Sequence, residues 1–76
     1  MVYGLLKYNH ALERLYIDTH DRGRHYLKDG DIIKVQTGDS QVWKNTSVVC
    51  CGEGEFLLSG LFGPGEIPYD LTARLP

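Results

Sequence analysis

The sequence has no long apolar run and little cysteine. No stretch approaches the roughly 20 apolar residues that a transmembrane helix needs, and the first residues lack a basic segment followed by an apolar one. We therefore expect a soluble cytoplasmic protein with no signal peptide and no membrane partner. Cys50 and Cys51 are the only cysteines, and because they are adjacent they cannot cross-link distant segments. Neighbours on a strand point to opposite faces, so we expect one in the core and the other on the surface.

An excess of one charge is also lacking. Eight Lys and Arg stand against ten Asp and Glu, which gives a formal net charge of −2. The whole chain should therefore have no general attraction to phosphate backbones or anionic lipid. Hydrophobic residues make up 42 % of the sequence, enough for one small core and too many for a disordered chain. We predict a single domain over residues 1–76.

No motif for catalysis, metal binding or phosphate binding is present. The three histidines, His10, His20 and His25, have no zinc-ligand spacing relative to the cysteines. No serine stands in a nucleophile elbow, and no glycine-rich turn precedes a predicted helix. We predict no catalytic residue, no metal site and no cofactor, and hence a protein that is not an enzyme. A metal- or redox-responsive switch through His20, His25 or Cys50 is a third hypothesis.

The sequence does contain short alternating apolar runs between turn signals, about eight to twelve residues apart, as in small all-β domains. The clearest run covers residues 31–37, where Ile33 and Val35 share one face while Lys34 and Gln36 share the other. Ile32 is the exception. The turn before this run contains Gly30, for which we predict a positive φ.

Further strands are predicted at residues 2–8 and 15–18, which should form a hairpin, and at residues 56–58. Residues 41–51 should pair with the 31–37 strand after a turn at 37–40, with a bend or bulge near Asn45. Residues 71–75 should form a closing edge strand. Together these elements predict an all-β fold, either a small SH3-like barrel or a strongly curled antiparallel meander of five to six short strands.

An ordered set of glycines and core positions resembles one known family. The positions are Gly4-x-Leu6-x-Tyr8, Tyr16, Leu27-x-x-Gly30-Asp31-x-Ile33-x-Val35, Trp43-x-x-Thr46-x-Val48 and Gly54-Glu55-Phe56-x-Leu58-x-Gly60-Leu61. This set resembles the family catalogued as domain of unknown function 5348, over nearly the whole chain. The resemblance implies a small β-rich bacterial or phage protein, often carried by mobile elements. It provides no functional residue, because the family has no assigned activity.

Two segments that depart from the family pattern are the candidate binding surfaces. The apolar side chains of Phe62, Ile67 and Tyr69 lie in a Gly- and Pro-rich loop and suit contact with a protein, unless they fold back over the core. Our leading hypothesis is a protein-interaction module with an unidentified protein partner, such as an accessory or inhibitory factor of a mobile element. We expect a monomer or a weak homodimer.

The alternative hypothesis is a nucleic-acid-binding barrel that uses the polar loop at residues 22–26. Arg22, Arg24, His25 and Tyr26 combine charge with an aromatic ring, as sites for single-stranded nucleic acid do. The net charge disfavours this hypothesis, and such a loop is also explained as a hydrated connection between strands.

Overall fold

The computed structural model describes residues 2–37, 41–52, 54–68 and 71–76, and within these ranges the chain forms seven strands and no helix. The strands are β1 (Tyr3–Asn9), β2 (Arg14–Thr19), β3 (Gly23–Tyr26), β4 (Ile32–Gln36), β5 (Lys44–Gly52), β6 (Glu55–Leu58) and β7 (Thr72–Arg74). The all-β prediction is confirmed, although five or six strands were expected. These ranges contain no helix that could cross a bilayer.

The strands form one antiparallel sheet in the order β3-β2-β1-β7-β4-β5-β6. Two three-stranded meanders, β1 to β3 and β4 to β6, are joined by β7. The prediction that residues 71–75 form an edge strand is wrong, because Ala73 pairs with Gly4 on β1 and with Val35 on β4. Ala73 is fully buried on the inner face, as expected for a residue of a central strand.

The sheet curls strongly but has two open edges, β3 and β6. No ladder joins these two strands in the ranges given above, so a closed SH3-like barrel is not confirmed. The curl is nevertheless pronounced, since the rings of Tyr8 on β1 and Phe56 on β6 lie 6.3 Å apart although three strands separate β1 from β6 in the sheet. The inner face of the sheet therefore encloses a core.

The core consists of inward-facing apolar side chains from both meanders and the connections. Its members are Leu6, Leu15, Ile17, Leu27, Ile33, Val35, Val48, Phe56, Leu58, Ile67 and Ala73. The predicted faces of β4 are confirmed: Ile33 and Val35 are fully buried, whereas Ile32 is 60 % exposed. Alternation along each strand thus divides the sheet into an inner and an outer face.

The turn before β4 is bonded to β5 through its backbone. Gly30 has the predicted positive φ, at 91°, and its N–H donates to the Val48 carbonyl at 2.7 Å. The Val48 N–H in turn donates to the Asp31 carbonyl at 2.8 Å. The predicted pairing of β4 with β5 is confirmed, although residues 38–40 of the predicted turn lie outside the described ranges.

Strand β5 differs from its prediction at both ends. It begins at Lys44 and runs without a break through Asn45, which pairs with Lys34, so the bulge predicted there is wrong. The irregularity lies between Cys50 and Gly52, where the pairing with β6 shifts by one residue. Both cysteines are exposed, because the strand has passed beyond the core at this point, and the prediction of one buried cysteine is also wrong.

Candidate functional site

The outer face of five neighbouring strands carries an unusual set of side chains. We define the outer face as the outward residues of β3, β2, β1, β7 and β4. The register places Arg24, Asp18 and Leu5 in one cross-strand row, and Tyr26, Tyr16 and Lys7 in the next. Their strand neighbours Ile17 and Leu6 are fully buried on the opposite face. Each outward position is therefore fixed by the packing of an inward one.

One end of the outer face is a stack of two arginines and two tyrosines. The Arg24 guanidinium lies 4.8 Å from the centre of the Tyr16 ring, and the Tyr16 and Tyr26 rings are 5.4 Å apart. The Arg14 guanidinium lies 5.8 Å from the Tyr26 ring. Because its neighbours cover it, Tyr16 is only 7 % exposed although it points outward. We call this group the first cluster.

Hydrogen bonds hold the first cluster in place. The Asn9 side-chain amide donates to the Tyr26 hydroxyl at 2.9 Å, and Arg14 donates to the Leu27 carbonyl at 3.3 Å. A hydrogen bond with the Arg24 guanidinium lowers the pKa of Tyr26, and the bond from Asn9 lowers it further. The same bond with Tyr26 raises the pKa of Arg24. The Arg24 guanidinium and the Tyr26 phenol thus each favour the charged form of the other.

A second cluster lies across the sheet, where β1, β7 and β4 meet the segment before β5. The Arg74 guanidinium lies 4.7 Å from the Trp43 ring. The Tyr3 ring meets the Trp43 ring edge-on, with centroids 6.1 Å apart. Arg74 pairs with Tyr3 on one side and with Lys34 on the other. Tyr3 is 53 % exposed, which leaves much of its ring available to a ligand.

Charge is distributed unevenly between this face and the turns. Among the residues that the structure describes, the outer face carries one carboxylate, Asp18, which lies 3.9 Å from the Lys7 ammonium. The cations of the outer face are Lys7, Arg14, Arg24, Lys34 and Arg74. Many of the acids lie in turns, as Asp21, Asp29 and Glu66 do. A chain with a net charge of −2 thus has one basic, aromatic side.

A surface concavity of about 390 Å³ opens between the two clusters, beside the start of β1. It is lined by Tyr3, Gly4, Leu5, Asp18, Thr19, His20 and Thr72. Gly4 forms part of its floor, and the close approach of β2 requires a glycine there, since a Cβ would lie 2.2 Å from the Asp18 carbonyl oxygen. The Thr19 hydroxyl is used internally, because it donates to the Gly23 carbonyl and accepts from the Arg22 N–H.

The residues predicted for nucleic-acid binding do not form the expected loop. Gly23 begins strand β3, and alternation along this strand separates the predicted set. Arg24 and Tyr26 lie together on the outer face, whereas His25 pairs with inward-facing Ile17 and Arg22 lies in the β2–β3 turn. The partners of Arg24 and Tyr26 within the first cluster, Arg14 and Tyr16, come from β2 and were not predicted. Along β2 the polar or aromatic residues Arg14, Tyr16 and Asp18 alternate with Leu15 and Ile17, and this alternation was the only signal in the sequence.

The predicted protein-binding residues are divided in a similar way. Ile67 is 6 % exposed and belongs to the core, so it is unavailable to a partner. Phe62 is half-buried, packs against the core and forms a backbone bridge with Leu58. Tyr69 lies outside the described ranges. A shallow depression of about 350 Å³ beside Phe62 is lined by residues of the 57–63 segment.

No family of known proteins helps to interpret these surfaces. Comparison of the chain with models of protein families, with curated proteins and with solved structures gave no match. The resemblance to the family of unknown function therefore stays a prediction. No group of three or more His, Cys, Asp or Glu side chains is arranged for a metal ion within the ranges that the structure describes.

Proposed function

We propose that this chain is a binding module without catalytic activity and that its outer face binds single-stranded nucleic acid. One observation carries the proposal: two clusters of stacked cations and aromatic rings lie on the same side of one sheet. Proteins that bind single strands combine cations, which contact the phosphates, with aromatic rings, on which the bases stack. A tyrosine that is half exposed beside arginine offers both kinds of contact.

The size of the outer face suits a short segment of a single strand. Five strands at about 4.8 Å spacing extend about 19 Å across the sheet. Single-strand modules of this scale cover about four nucleotides or more. The described part of the chain contains no helix that would enter a major groove. These dimensions favour a flexible single strand over a duplex.

The acidic net charge does not oppose this proposal strongly. Screening by salt limits electrostatic interactions to about 8 Å at physiological ionic strength. A phosphate held beside Arg74 would therefore interact with Lys34, its cross-strand neighbour, more than with carboxylates in distant turns. Over the part of the outer face that the structure describes, five cations stand against one carboxylate, and this local excess supports binding where the total charge does not.

Fluorescence anisotropy with a labelled oligonucleotide of about twelve residues tests this proposal. With up to five phosphate contacts, the logarithm of the affinity should fall against the logarithm of salt concentration with a slope of up to about −3.5. Arg24→Gln and Lys34→Gln should each reduce the slope by about 0.7, since each removes one contact. Lys28→Gln is the matched control, because it removes a cation from a turn. Absence of binding at low salt, or equal slopes for all three variants, would reject the proposal.

Protein binding is a second candidate, supported by the half-buried Phe62 and the depression beside it. We propose that the unidentified partner protein binds in this depression. Ile67 takes no part in the contact, because it is buried in the core. Such an apolar contact would respond little to salt. Phe62→Ser should abolish it while Lys34→Gln leaves it unchanged. Loss of partner binding with Lys34→Gln alone would place the partner on the outer face instead.

A further inference from the structure

The concavity beside β1 has a different chemistry from the rest of the outer face. Its exposed walls are the Tyr3 ring and the Leu5 side chain, which are 53 % and 39 % exposed. Its wall also includes the carboxylate of Asp18. An aromatic wall suits a flat ring, and a carboxylate suits a hydrogen-bond donor on that ring's edge.

The Asp18 carboxylate has room to accept a hydrogen bond from a ligand. Its separation from the Lys7 ammonium, 3.9 Å, is beyond hydrogen-bond distance, and its side chain is 45 % exposed. Its oxygens only accept hydrogen bonds, so they offer nothing to a phosphate oxygen. A neutral group that donates N–H would be accepted.

We infer that the concavity binds one nucleobase with an exocyclic amino group, stacked on Tyr3 and bonded through that amine to Asp18. This inference rests on the proposed function, because the neighbouring cations are needed to hold the strand. Position supports it as well: Asp18 pairs across the sheet with Arg24 of the first cluster, while Tyr3 belongs to the second. A strand that contacts both clusters passes over the concavity.

The expected selectivity follows from the edges of the bases. Cytosine, adenine and guanine carry an amino group, whereas thymine and uracil present carbonyl oxygens at the corresponding edge. A thymine O4 facing Asp18 would place two acceptors against each other. Cytosine and thymine have rings of the same size, so a comparison of these two bases isolates the amino group from stacking area.

The test compares the affinities of labelled oligo(dC) and oligo(dT) of equal length at neutral pH. The unmodified protein should bind oligo(dC) about fivefold or more tightly. Asp18→Asn should bring this ratio close to one, because an amide presents donors as well as an acceptor. Asp21→Asn is the matched control: it removes one negative charge from the adjacent turn and should leave the ratio unchanged. Tyr3→Ala should weaken both oligonucleotides about fivefold, and Tyr3→Phe should not.

The outcomes separate this inference from the proposed function. If neither oligonucleotide binds, the proposed function itself is wrong. If both oligonucleotides bind with the expected salt slope but with equal affinity, the inferred base site is wrong and nucleic-acid binding by the outer face is still supported. The same conclusion holds if Asp21→Asn changes the affinity ratio as much as Asp18→Asn does. Thermal unfolding of each variant verifies that the domain is intact.

Discussion

The two faces of the sheet show how a very small domain divides its side chains. The inner face holds aliphatic residues that are almost completely inaccessible, such as Leu6, Ile17 and Ile33. The outer face of the same strands holds arginine, lysine and most of the stacked rings. Because a chain of 76 residues has little apolar material to spare, aromatic rings that remain outside and stack with cations are the better candidates for binding than loop residues such as Ile67.

The largest expected effect contrasts two adjacent isoleucines. Ile33→Ala removes a fully buried side chain and should lower the free energy of unfolding by about 2–5 kcal/mol. Ile32→Ala truncates a side chain that is 60 % exposed and should change it by less than about 0.5 kcal/mol. Urea unfolding measures both values. Similar losses for the two variants would mean that the faces are not separated as described.

The next effect concerns the turn that sets the register of the two faces. A shift of one residue would exchange inward and outward side chains throughout a strand. Gly30→Val places a β-branched residue at a φ of 91° and should cost about 1–3 kcal/mol through backbone strain. Gly30→Asn should cost less, since asparagine tolerates a positive φ better. Urea unfolding checks this order, and a Gly30→Val variant as stable as the parent would contradict it.

The smallest expected effect is the electrostatic contribution of Tyr26, on the outer face, to the stability of the fold. Arg24 and Asn9 lower the pKa of Tyr26 below its ordinary value of 10.0. A lowered acid pKa contributes stability that is present above the unfolded pKa and is lost as the pH falls through the folded pKa. Because Tyr26 is only partly buried, this contribution is small, so the titration itself is the better measurement.

Absorbance titration of tyrosinate should show Tyr26 ionising below the pH at which a free phenol does. Tyr26→Phe identifies its transition among the other tyrosines. Arg24→Gln should raise the pKa of Tyr26, whereas Lys28→Gln should leave it unchanged. A Tyr26 pKa that does not respond to Arg24→Gln would remove the electrostatic link within the first cluster.

Much of the fold was predictable from local patterns. The alternation of Ile33 and Val35 with polar residues predicted strand β4 and its two faces. The Asp29-Gly30 pair predicted the turn before that strand. Strand β3 was missed because Arg24, His25 and Tyr26 form an edge strand with no apolar residue facing inward. The central position of β7 was missed because a three-residue strand carries no signal for the neighbours with which it pairs.

The candidate site was predictable only in part, for a related reason. Arg24 and Tyr26 were identified because they are close in sequence. Arg74 meets Tyr3 and Trp43 only through the pairing of the first and last strands, a contact that no local pattern encodes. The sequence also shows charge as a total, whereas binding depends on where the cations lie.

The most direct test of the central claim is mapping by nuclear magnetic resonance with an isotope-labelled domain and an unlabelled single-stranded oligonucleotide. Chemical-shift changes should concentrate on the outer face, at Tyr3, Lys7, Arg24, Lys34 and Arg74. They should all saturate at the same molar ratio of oligonucleotide to protein. Shift changes confined to the depression at residues 57–63, or none at oligonucleotide concentrations that give binding, would contradict the account.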